Sequence, residues 1–237
     1  MKVYDAASLR NVALVGHTAS GKTQLGSALL SDAGMLTRFG KVDEGTTATD
    51  FDEEEIARKH TLSASLAYAE WNKHKINLID TPGIGSFVAD VRAALQVADA
   101  ALVVVDGVSG VMVQTEKVWA AAEELKLPRL VVLNRLDRER ASLDRSLQSL
   151  REACSRAVIP IQLPIGEEKS FRGVVDLVSR KAFIFQTDES GKFSEGALPA
   201  DMAATVDAAR EVLIEMVAEA DETLMERFFE AGTLTDQ

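Results

Sequence analysis

The octapeptide GHTASGKT at residues 16–23 sets two glycines, a lysine and a hydroxyl at the spacing G-x-x-x-x-G-K-[ST]. Between an apolar run and a helix-compatible run, that spacing makes a phosphate cradle. Backbone N–H groups of the turn and of the helix N-terminus face the oxygens, Lys22 neutralises the outer phosphates, and the Thr23 hydroxyl can ligate Mg2+. Gly16, His17, Thr18, Ala19, Ser20, Gly21, Lys22 and Thr23 are therefore nucleotide-binding candidates. DTPG, residues 80–83, ends a second apolar run on Asp80, which can hold Mg2+ through water, and offers the Gly83 N–H to a terminal phosphate. Loss of that phosphate would release the loop. Thr61, closing a long polar stretch, is the candidate for a second hydroxyl on the cation and a second N–H on the phosphate. The metal candidates are thus Thr23, Thr61 and Asp80.

NRLD, residues 134–137, follows another apolar run. The Asp137 carboxylate can accept from both N1–H and the exocyclic amine of guanine, whereas adenine would leave it unpaired, and Asn134 can tie this loop to the phosphate loop. Asn134, Arg135 and Asp137 are the base-side candidates, and a reading as a P-loop ATPase has to ignore Asp137. The residue after DTPG is Ile84, a hydrocarbon that neither orients nor deprotonates water, so no catalytic residue is assigned. His60, beside Thr61, does not replace it, since neighbours on an extended segment point to opposite sides. His17 is assigned to loop packing, and His74 to a polar turn.

Positioning these groups requires a layered α/β scaffold. NVALVG (11–16) reads as a buried strand and KTQLGSALLSDAG as a helix ending near Gly34. Residues 36–61 are polar, acidic and aperiodic, which predicts a mobile functional loop. TLSASLAYAEW and INLID read as strands joined by a turn at NKHK. Helices are then expected over 88–97, 114–125 and 142–153, alternating with buried strands ALVVVDG and RLVVLN. The alternation predicts a mainly parallel sheet flanked by helices on both faces. Beyond Val158 the texture changes to short strands (IPIQLPIG, GVVDLV, KAFIFQ), a Gly-rich charged turn, and one amphipathic helix over about 200–230. The expected organisation is a nucleotide-binding domain over 1–157 and a small α+β subdomain over 158–237. Gly232 is a candidate helix cap, and Thr235 or Asp236 an N-cap for a helix that does not follow, so a fragment of a longer chain is expected.

With 237 residues, 46% of them hydrophobic, the chain can bury a sizeable core. No apolar run approaches the roughly 18 residues that span a membrane, and no cationic-then-apolar leader opens it, so a cytoplasmic location is expected. A lone cysteine, Cys154, excludes an intrachain disulfide and is expected to be a small buried side chain. The net charge of −11 argues against broad binding to a nucleic-acid backbone. Acid concentrates in the last 37 residues, where Asp201, Asp207, Glu211, Glu215, Glu219, Asp221, Glu222, Glu226, Glu230 and Asp236 stand against Arg210 and Arg227. Such a run is either a solvated face or a docking face for a basic partner.

Taken together, these segments resemble the GTP-binding domain of translational GTPases, specifically elongation factor G and its paralogues. EGTTATDFDEEEIARKHTLSAS is similar to the family's first switch; HKINLIDTPG, VRAALQVADAALVVVDGVSGVMVQTEKVWAAAEELKLPRLVVLNRLDRERA and IQLPIGEEKSFRGVVDLVSRKA are similar to the family in order and spacing, and the tail after about Val158 resembles its inserted subdomain. The resemblance implies a P-loop NTPase fold, GTP/GDP and Mg2+ as cofactors, and the ribosome as partner, with the acidic 200–230 helix as a face toward the ribosomal stalk. The family's phosphate loop has Asp where Ala19 stands, its first switch reads RGIT where Lys59 and His60 precede Thr61, and it carries a catalytic His where Ile84 stands. Its last guanine-binding segment, a Ser-Ala pair, is expected beyond the subdomain and is not in this sequence. The expected function is a GTP-binding domain with slow or ribosome-dependent hydrolysis. The alternative is a non-hydrolysing, GTP-responsive interaction module outside elongation.

Overall fold

The computed structural model describes residues 2–186, 191–231 and 234, in two compact units, Met1–Asn134 and Arg135–Gln237. Gly232, Thr235 and Asp236, and with them the expected terminal caps, lie outside the described residues.

The first unit is built on a five-stranded sheet in the order β2-β3-β1-β4-β5. Its strands are β1 (Leu9–Val15), β2 (Ser65–Trp71), β3 (His74–Asp80), β4 (Ala100–Asp106) and β5 (Arg129–Asn134). Only β2 runs antiparallel, paired to β3 across a two-residue turn in which Asn72 and Lys73 both have positive φ, 45° and 64°. β1 lies in the middle of the sheet, and its Ala13, Leu14 and Val15 are fully buried, as a strand enclosed on both sides requires. Helix α1 (Lys22–Asp32) lays Leu30 against Ala69, Leu78, Val12 and Ile76. Helices α3 (Val88–Val97) and α4 (Val113–Glu124) pack on each other, α3 also on β1 and α4 on β4.

Because β1, β3, β4 and β5 are parallel, their carboxyl ends share one edge of the sheet. The chain passes from β1 to β3 on one side and later to β4 on the other, so β1 ends at a topological switch point, where open α/β sheets bind ligands. The 36–61 stretch is not unstructured throughout. Asp52 caps a short helix, α2 (Glu53–Arg58), by accepting from the Glu54 N–H at 2.8 Å, and three glutamates in its first turn suit the positive end of the helix.

The second unit opens with a turn and helix α5 (Leu143–Ala153), capped by Ser142. The sequence assigns α5 to the first domain; here it falls in the second unit, where Leu143 packs on that unit's core. A four-stranded antiparallel sheet follows in the order β6-β7-β8-β9: β6 (Gln162–Ile165), β7 (Gly173–Asp176), β8 (Ala182–Phe185) and β9 (Phe193–Gly196). Leu163, Ile165, Val175, Leu177 and Ala182 meet Val206 and Leu213 of helix α6 (Ala203–Glu219), with Ala209 of the helix and Met202 just before it packed against the same cluster. Two expectations are corrected here. Phe193–Gly196, read as part of a turn, is a strand held by pairing to β8. The single helix over 200–230 is two, because the Asp221 carboxylate accepts from the Thr223 and Leu224 N–H groups at 2.8 and 3.2 Å and starts α7 (Glu222–Ala231). Cys154, expected to be buried, is half-buried at the end of α5. No helix among the described residues is long and apolar enough to cross a membrane.

Candidate functional site

The loop between β1 and α1 takes its shape from glycines whose freedom is needed. Gly16 has φ of 142°, and a Cβ there would fall 2.4 Å from the Val104 oxygen; Gly21 has φ of 98°, and its Cβ would meet the Asn134 amide at 2.2 Å. Ala19 holds φ of 58° without that freedom. Asn134, at the end of β5, donates through Nδ2 to the Ser20 carbonyl at 2.9 Å and so fastens the loop to the sheet.

Lys22 opens α1 and folds back over the loop, its Nζ donating to the carbonyls of His17 (2.9 Å) and Gly16 (3.3 Å). Burial pushes this ammonium down to about 8, against the pull of Asp80 and Asp50. The backbone after β3 presses on the same loop: a Cβ on Gly83 would stand 2.6 Å from Lys22 Nζ and from the Thr18 nitrogen. Thr81 is anchored beneath it by donating to the Leu14 carbonyl at 2.6 Å. Asp80 is fully buried; its Oδ2 accepts from Thr49 Oγ1 at 2.9 Å, while Oδ1 has no hydrogen-bond partner among the described residues, and burial pushes the carboxyl up to about 6. Burial also lowers the His17 imidazole, with the Lys22 charge second, and raises the Asp50 carboxyl.

Thr61 reaches this centre from 38 residues beyond Thr23, and the two Oγ1 atoms stand 2.9 Å apart. Its hydroxyl is held by the Asp50 carboxylate, also at 2.9 Å. Gln24 of α1 binds the other end of the same segment, donating to the Gly40 carbonyl and accepting from the Val42 N–H.

The structure thus brings Gly16, Lys22, Thr23, Thr61, Asp80, Gly83 and Asn134 together at the carboxyl edge of the first sheet. His17 is half-buried, its Nδ1 without a hydrogen-bond partner among the described residues; Ile84 is half-buried and leads into a short turn at Gly85–Phe87. His60 and His74 lie outside the cluster, His60 exposed and His74 in the β2–β3 hairpin. Arg135 and Asp137 belong to the second unit, where Arg135 takes φ of 64° and Asp137 is exposed in the following turn. Sequence reasoning missed Thr49, Asp50 and Glu55, all buried. Their one signal is position, within the stretch that ends on Thr61.

A mainly parallel sheet with a glycine-shaped loop at its switch point, and a buried lysine and hydroxyl at the helix start, defines a P-loop nucleotide-binding protein. Residues 7–231 match the profile of the elongation factor Tu GTP binding domain, and the chain belongs to that family. Over 233 residues it is 37% identical to elongation factor G of Granulibacter bethesdensis, covering 98% of this chain and 34% of that protein. It superposes with a TM-score of 0.88 and 39% identity on a crystal structure from Thermus thermophilus, covering 95% of this chain and 33% of that one. The chain therefore spans about a third of the length of these relatives.

Proposed function

We propose that this chain binds GTP and GDP with Mg2+ as the switch domain of an elongation factor G-like translation factor, and that its own hydrolysis is slow. The observation that supports it best is the pairing of Thr23 with Thr61 in the same centre as a buried Asp80 oxygen that has no hydrogen-bond partner among the described residues. Two hydroxyls and a buried carboxylate oxygen are the hard oxygen donors that Mg2+ takes. The residues fit the ion: Thr23 and Thr61 would hold it, and Asp80 would hold it through water. When bound, the ion neutralises charge on the outer phosphates.

Lys22 and the amides of the phosphate loop and Gly83 would bind the outer phosphates, and Asp137 would accept from guanine. In hydrolysis a water oxygen bonds to the γ-phosphorus and gives up its proton to solvent, the bond from that phosphorus to the β–γ bridging oxygen breaks with its electron pair left on GDP, and inorganic phosphate is released. Positioning and charge carry such a reaction, and Ile84 positions no water. Full activity and the ribosome as partner are part of this proposal, as is a stalk-facing role for α6 and α7, whose acidic side chains Asp207, Glu211, Glu215, Glu219, Glu222 and Glu226 are all exposed.

The test is GTP hydrolysis with and without ribosomes by this chain and by Ile84→His, alongside competition of ATP and GTP for a fluorescent guanine nucleotide. We expect GTP alone to compete, slow turnover in the native chain, and a rise of about 100-fold or more on restoring an imidazole. Native turnover equal to that of Ile84→His overturns the slow-hydrolysis reading. Ile84 also favours the second reading, a GTP-responsive interaction module; binding without ribosome-stimulated turnover in either chain would select it.

A further inference from the structure

We infer that Glu55 is a positioning residue that presets the Thr61 amide to receive an anionic ligand oxygen; this rests on the reading of Thr61 given above. Glu55 sits in α2, six residues before Thr61, and is 3% exposed although it is an acid in an acidic run. Such burial of a carboxylate needs partners. Its Oε1 accepts the Leu62 and Ser63 N–H groups at 2.8 and 3.1 Å, the two amides after Thr61. Its backbone carbonyl accepts the His60 N–H at 3.2 Å, on the other flank, and also the Lys59 N–H. One residue therefore holds the amides on both sides of Thr61.

What remains is the Thr61 N–H, which among the described residues has no partner, in a residue that is 7% exposed. A buried amide without an acceptor is costly, and the cost is relieved when a ligand supplies one. The side chain is fixed independently, by Asp50 and Thr23. With its neighbours' amides engaged and its hydroxyl held, Thr61 can accept a ligand oxygen at its N–H without reorganising the segment. The negative charge of Glu55 is spent on two amides, so it strengthens the clasp.

The experiment compares the native chain with Glu55→Ala and Glu55→Gln. Glutamine keeps an acceptor oxygen for both amides, and alanine keeps none. Exchange of the Leu62 and Ser63 amides in the ligand-free chain is followed by NMR, and a non-hydrolysable GTP analogue and GDP are titrated separately. Only the triphosphate carries the third phosphate that Thr61 would contact. We expect Glu55→Ala to speed exchange at both amides and to lower the preference for the triphosphate about tenfold, with GDP affinity within about twofold of native. Glu55→Gln should recover most of that preference. Equal loss of both nucleotides in Glu55→Ala, or an unchanged preference, overturns the inference and leaves the functional reading standing. A native chain that binds neither nucleotide overturns both.

Discussion

Replacing Lys22 by methionine tests whether the phosphate loop is held under electrostatic tension before any ligand arrives. The side chain keeps its length and loses its charge. An ammonium held at about 8 rather than 10.5 costs the folded, ligand-free chain about 3 kcal/mol at neutral pH, at about 1.4 kcal/mol per unit. The folded value lies below the unfolded one, so between pH 8 and 10.5 the unfolded chain binds the extra proton and native stability rises through that window. Below pH 8 the penalty is constant. Methionine escapes it at every pH but forfeits the hydrogen bonds to the Gly16 and His17 carbonyls, about 1 kcal/mol each. Lys22→Met should therefore be about 1 kcal/mol more stable than the native chain at neutral pH and about 2 kcal/mol less stable by pH 10.5. Urea unfolding of both proteins without nucleotide, taken stepwise across that range, gives the difference directly and cancels the titration of every other lysine. A difference that does not change with pH would refute the reasoning.

Asp80 should show the opposite dependence. Its folded value of about 6 lies above the ordinary 3.8, so the folded chain binds the extra proton and stability falls by about 3 kcal/mol as pH rises between those values, then levels. Asp80→Asn should remove that segment from the unfolding curves, and an unchanged slope would count against it. In the β2–β3 hairpin, Lys73→Gly relieves a left-handed lysine at the position where such turns favour glycine, and should stabilise the chain by about 0.5 kcal/mol, raising Tm by about 1–2 °C. A lower Tm in a calorimetric scan would contradict it.

Much of the first unit was legible because its signals are local. The apolar runs ending on Val15, Asp80, Asp106 and Asn134 are strands, and Val88–Val97 is a helix with the bounds its periodicity gives. The phosphate loop was legible for the same reason, since contiguous residues make it. What sequence did not reveal depends on distant contacts or on weak burial. Thr49 is buried through Asp80, 31 residues away, and Asp50 lies in an acidic stretch that composition reads as solvated. β9 has no apolar alternation to betray it, because all four of its residues are exposed and pairing to β8 alone defines it. The break between α6 and α7 is hidden by an apolar pattern that runs on through Val217 and Leu224, while the cap that makes the break is one more acid, Asp221, among many.

The same contrast bears on how binding and hydrolysis divide in the site. Lys22 and Asp80, the charged groups that burial displaces furthest, flank the region proposed for the outer phosphates and the cation, and each is opposed there by a tendency to lose its charge. A polyanion arriving with a divalent cation would reverse both tendencies, so binding draws on free energy already stored in the fold. Ile84 stores none: it is a half-buried hydrocarbon whose carbonyl accepts the Phe87 N–H and whose side chain has no charge to be displaced. Substituting Ile84 should therefore change turnover while leaving the tension on Lys22 and Asp80 in place, and substituting Lys22 or Asp80 should change ligand-free stability whatever residue follows Gly83. That separation is what the proposed switch reading predicts: binding is governed by Lys22 and Asp80, and any turnover by the residue after Gly83.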